Sequence, residues 1–134
     1  MLITLTERTT EAGRHVALAA TIRTAADLIK EHGYSPSAGL PSDGSQGYSI
    51  ASAILAACGG VMGTADYPLD RVAGYLLLTG QVSDSRSPWG AHMIVERWED
   101  SYPHKRVQSE AVAVLAATAF AIETHVMLIT RQSR

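Results

Sequence analysis

Ala111-Val-Ala-Val-Leu-Ala-Ala-Thr-Ala-Phe-Ala-Ile122 is the stretch that decides the fold. Thr118 is its one polar side chain, and Glu110 and Glu123 bound it. Ala is the strongest helix former, so a run this rich in Ala predicts a helix. Small side chains also let a neighbouring helix approach to the short end of the usual axis spacing, about 8–10 Å. The helix is expected to begin near Val107 and to run to Ile122, or on to Ile129. Residues 126–130 (Val-Met-Leu-Ile-Thr) are also compatible with a short strand pairing with Leu2–Leu5.

Immediately upstream lies Trp98-Glu-Asp-Ser-Tyr-Pro-His-Lys-Arg-Val-Gln-Ser-Glu110. Aromatics, acids, a histidine and two cations crowd this junction, and Pro103 forbids simple helical continuation through it. A fourth helix, Trp89 to Asp100, is therefore expected to end here, and the fifth to start. Helix N-termini favour anions, and Arg106 adds a positive charge. Trp98, Asp100, His104 and Arg106 are the candidate binding surface. The same groups also suffice to cap and anchor two helix ends, with Asp100 capping or pairing with Arg106.

Towards the N-terminus, apolar spacing predicts a first helix over Arg14–His32, with Thr9 or Thr10 as a cap and residues 1–13 as an arm. Arg23 and Asp27 stand four apart and suit an exposed pair. Gly33 stops that helix. Residues 34–48 read as a long loop rich in Gly, Pro and Ser. A second helix is expected over Ser49–Cys58, ended by Gly59-Gly60. The third covers Leu69–Thr79, and residues 81–88 form another loop. The fold class is all-α: one domain over residues 1–134, about five helices, with the Ala-rich fifth helix central and helices one, two and three around it.

Composition narrows the function. The chain has 134 residues, is 46% hydrophobic and carries a net charge of −2. Phosphate-backbone binding normally shows as clustered Lys and Arg, so nucleic acid is a poor match. Residues 49–79 read as helix, turn, helix, but the second helix of that pair offers one Arg and a Leu run. The single Cys58 rules out an internal disulfide and suits a reducing compartment. Its place at the end of an apolar stripe favours an inert thiol over a nucleophile. The N-terminus lacks the pattern of a signal peptide. The apolar run of 111–122 is shorter than the ~20 residues of a membrane span. A cytoplasmic protein that stays off the membrane is expected.

His92, Glu96 and Asp100 recur every fourth residue and share one helical face. With His104 folded back they would make a metal set of imidazole and carboxylates. A solvated face with a His–Glu contact is the plainer reading.

Ala25-Ala26-Asp27-Leu28-Ile29, followed by Gly33-Tyr34, resembles the opening of a family of small uncharacterised helical proteins from actinobacteria and their phages. Ser49-Ile-Ala-Ser-Ala-Ile-Leu-Ala-Ala57 is similar to that family's second helix. Trp98-Glu99-Asp100 and Arg106–Val112 resemble its Trp-Asn-Asp turn and Glu-Val-rich final helix. Glu99 stands where the family carries Asn, and Val107 where it tends to carry Thr. The resemblance spans roughly residues 18–122. It implies a helical fold and an actinobacterial or phage origin, and no activity. The function expected is a non-enzymatic protein-binding or regulatory module without a cofactor, whose partner is another protein or a second copy. The alternatives are a small metal-dependent enzyme using His92, Glu96, Asp100 and His104, and a DNA-binding regulator. An exposed Leu on the third helix or the tail would imply a dimer.

Overall fold

The computed structural model describes residues 5–36, 38, 40, 42–82, 90–100 and 106–132. Five α-helices follow one another: α1 (Leu5–His32), α2 (Ile50–Ala57), α3 (Asp66–Leu78), α4 (Ala91–Glu99) and α5 (Gln108–Gln132). A 3-10 turn, Met62–Ala65, leads into α3. Among the described residues there is one isolated bridge, Tyr34 to Tyr48, and no strand. The all-α expectation holds.

Local signals explain most boundaries. Ser49 caps α2: its hydroxyl accepts from Ser52 N–H, and Ser52 in turn accepts from Ser49 N–H, a reciprocal capping box. At the other end Gly60 N–H bonds back to Leu55 O at 2.9 Å with φ +83°, a left-handed stop open to glycine. Pro68 falls in the first turn of α3, where a missing N–H costs nothing, so the helix starts before it rather than after.

Two expectations fail at the ends of the chain. Residues 5–13 are not an arm but the first turns of α1. Gly13 has open space around its Cα, so it costs only propensity. Residues 126–130 are helical, which excludes the terminal ribbon. Thr130 Oγ1 donates to Val126 O at 2.8 Å, so even the β-branched tail keeps helical bonding. Residues 2–4, the other half of that ribbon, lie outside the described residues.

α1 and α5 form the most extensive pair. They run antiparallel: His15 meets His125 at one end, while Glu99 links Tyr34, just past α1, to Arg106, just before α5, at the other. Their seam is built from Leu18, Ala19, Ile22, Ala25, Ala26 and Ile29 on α1 against Ala111, Val114, Leu115, Ala119 and Ile122 on α5, all buried. Each fully buried Ile or Leu contributes roughly 2–3 kcal/mol. α3 packs on α5 and α4, whereas α2 lies chiefly against α1 rather than around α5. α5 is thus one half of a central pair rather than a lone axis. Arg23 is also misassigned by its sequence spacing. It takes Glu123 of α5 in a two-pronged bond of 2.8 and 2.6 Å, and Asp27 faces Lys30 instead. That bond holds the Glu123 carboxyl below its usual range and Arg23 above its own.

α5 extends ten residues past Ile122, so the segment Gln108–Leu128 is long and apolar enough to cross a membrane by length and composition. A third of its most apolar window is buried within the fold.

Candidate functional site

The junction from α4 to α5 is built as a clasp. Trp98 is 1% exposed, and its indole N–H donates to Gln81 Oε1 at 3.0 Å. The Arg106 guanidinium stacks over that indole, 4.6 Å from the ring centre. Its Nε donates to Trp98 O at 3.0 Å and its Nη1 to Glu110 at 3.1 Å. Glu110 also accepts from Val107 N–H, a first-turn cap for α5. That N–H, and then Arg106, hold the Glu110 carboxyl below its usual range. Arg106 therefore welds the end of one helix to the start of the next. Asp100 is the exposed C-cap of α4. Of the four sequence candidates, Trp98 and Arg106 come together, Asp100 stands at the rim, and His104 lies outside the described residues.

Between Trp98 and Asp100 sits the residue that pattern reading passed over. Glu99 is 2% exposed. One of its oxygens accepts both from the Tyr34 hydroxyl at 2.7 Å and from Ile50 N–H, at the first turn of α2, at 3.0 Å. Its backbone carbonyl accepts from Arg106 N–H at 3.2 Å. Glu99 thereby ties together α4, the loop after α1, the start of α2 and the lead into α5. Burial raises its carboxyl from 4.5 to about 7, opposed by those two hydrogen bonds. Burial, and then the neighbouring Glu99, push the Tyr34 phenol well up.

The long loop 34–48 is closed at its neck. Ser35 N–H donates to Tyr48 O and Tyr48 N–H to Gly33 O, both at 2.9 Å. Gly47, at φ +87°, lies so close that a Cβ there would meet Gly33 O at 3.1 Å. The loop covers two adjoining hollows, of about 350 and 280 Å3, that share Leu40, Ala51 and His92. His92 lines both, and its Nε2 lies 3.8 Å from Glu96. His92, Glu96 and Asp100 do not bring three ligand atoms together, whereas another set of described residues does. The exposed positions of α3 include Asp66 and Asp70, a poor face for phosphates. Cys58 is half-buried, with its thiol against Thr64 O at 3.5 Å.

On the opposite side of α5 an apolar face lies open. Leu78, the last residue of α3, is 90% exposed, Phe120 66% and Leu128 53%. Met127 is exposed as well. Ala113, Ala117, Phe120, Thr124 and Met127 follow one row of the helix, and Ala117, Ala121, Thr124 and Leu128 an adjacent one. Beside them a groove of about 280 Å3 runs between α3 and α5, lined by Asp70, Arg71, Gly74, Tyr75, Leu78 and Ala121 among others.

Neither a curated protein nor a solved structure matches this chain. A family model does, over residues 13–121, which takes in most of α1 and everything from there into α5. The chain belongs to that family, the family of unknown function DUF6197.

Proposed function

We propose that this chain is a protein-binding module and that its partner is a second copy of itself, met through the α3–α5 face. The observation that carries the reading is the exposed apolar face of Leu78, Phe120, Met127 and Leu128 beside a groove. Exposed large apolar side chains mark interaction sites where they join into a patch. The face holds both projecting side chains and the hollow to receive them, as a two-fold interface requires. Asp70 and Arg71 border the same groove and carry opposite charges that can pair across the two-fold axis. A bilayer is a poorer match for this face. α1 already covers one side of α5 and turns Arg23, Lys30 and Glu31 outward. The setting we propose is the cytoplasm of an actinobacterium or of a cell infected by its phage, on the resemblance of residues 18–122 and the lone cysteine.

Sedimentation equilibrium across micromolar concentrations tests the reading. The expected species has twice the 14.3 kDa of the chain. The double change Leu78→Asp and Phe120→Asp touches only exposed side chains, so it should return the mass to the monomer with helical circular dichroism intact. A wild-type chain that stays monomeric throughout, or a double variant that still dimerises, overturns it.

A further inference from the structure

We propose that Glu11, His15 and His125 form a binding site for one first-row divalent metal ion, with Zn2+ the closest chemical match. The three side chains each present a ligand atom, and these atoms all lie within 4.8 Å of one another. Glu11 and His15 are four apart on α1 and therefore stacked on one face. His125 arrives from the antiparallel α5, its ring centre 5.0 Å from that of His15 at an interplanar angle of 58°. Two imidazoles and a carboxylate are the donors that zinc takes in three-ligand sites, leaving a fourth position open. In a tetrahedral zinc site the donor atoms stand ~3.3 Å apart, given bonds of ~2.0–2.1 Å. Closing from the observed spacing takes side-chain rotation alone, because all three groups are half-buried or exposed.

A second observation favours a metal over a plain ring contact. His15 Nδ1 lies 2.9 Å from Glu11 O. A carbonyl only accepts, so in the neutral ring this contact places the proton on Nδ1 and leaves the Nε2 lone pair for a metal. Metal-ligating histidines are commonly held in this way, by donating their other nitrogen to a backbone carbonyl. Glu11 and His15 also line a cavity of about 450 Å3 with Arg14, Leu18 and Tyr67. Arg14 there gives an anionic fourth ligand its counter-charge. A metal in this position would cross-link the start of α1 to the end of α5, where helix ends otherwise fray.

The test uses the full chain, free of added histidines and stripped with EDTA. Titration with ZnCl2 should show one equivalent bound per chain. At a free Zn2+ concentration a hundredfold above Kd the melting temperature should rise by about 10 °C, and EDTA should reverse the rise. His15→Ala and His125→Ala should each weaken binding at least tenfold, and Glu11→Gln should weaken it while leaving the helical spectrum unchanged. His92→Ala should bind as wild type does. The stoichiometry should persist in the Leu78→Asp, Phe120→Asp chain, since all three ligands come from one copy. Absence of saturable one-to-one binding overturns the proposal. So does binding that His15→Ala and His125→Ala leave within twofold of wild type.

Discussion

Replacing Glu99 with Gln removes a titration while keeping an oxygen that can accept from Tyr34 and Ile50. In the folded chain the Glu99 carboxyl rises from 4.5 to about 7, chiefly because burial disfavours its charge. A raised acid pKa means that the folded state holds its proton more tightly than the unfolded one. The resulting stability is fully present below pH 4.5, and is lost as pH rises through about 7. Between pH 5.5 and 8 the loss amounts to about 2 kcal/mol by proton linkage. Every other pH effect is common to the two chains, so the decisive quantity is the difference between variant and wild type. Urea denaturation at half-unit steps should show Glu99→Gln gaining about 2 kcal/mol on wild type from pH 5.5 to 8. Glu99→Ala, which leaves the Tyr34 hydroxyl and Ile50 N–H without their shared acceptor, should cost about 3 kcal/mol at pH 5.5. A difference between Glu99→Gln and wild type that stays flat across the range would refute the buried-carboxyl account.

Arg106→Ala should lower stability to urea by about 1–2 kcal/mol through loss of the Trp98 stack and carbonyl bond, and Arg106→Lys should restore little, since an ammonium lacks the planar fork. Gly47→Ala should cost about 1–3 kcal/mol in the same assay, because φ is positive there and the new Cβ crowds the neck of the loop.

The helices were legible where the information is local. Gly33 and Gly59-Gly60 end α1 and α2 as their place in the sequence predicts. Each acts within a few residues, so one sequence suffices. Partner choice is different in kind. Arg23 has a plausible mate four residues on at Asp27, yet a bidentate carboxylate on α5 offers better geometry. Nothing within α1 reveals Glu123. Glu99 was hidden by its chemistry: a charged residue at a helix end reads as surface, and only the meeting of four segments buries it. Glu11 and His15 show the same limit. Their spacing matches that of His92 and Glu96, and it is the place of His125 in the fold that separates the two pairs.

α5 shows why the apolar pattern could set the fold and leave its surface undecided. A helix that is apolar on nearly every side has no strong direction of hydrophobicity, so its sequence names no buried face. Packing makes the choice: Ala111, Val114, Leu115, Ala119 and Ile122 are buried against the fold, and Ala111 and Ala119 permit close approach. Phe120 and Met127 are turned outward. The apolar surplus that made residues 111–122 an unmistakable helix therefore also leaves Phe120 in water, and the apolar tail adds Met127 and Leu128. For an isolated chain that exposure is a cost without a return, and covering this face against a second copy is what would remove it.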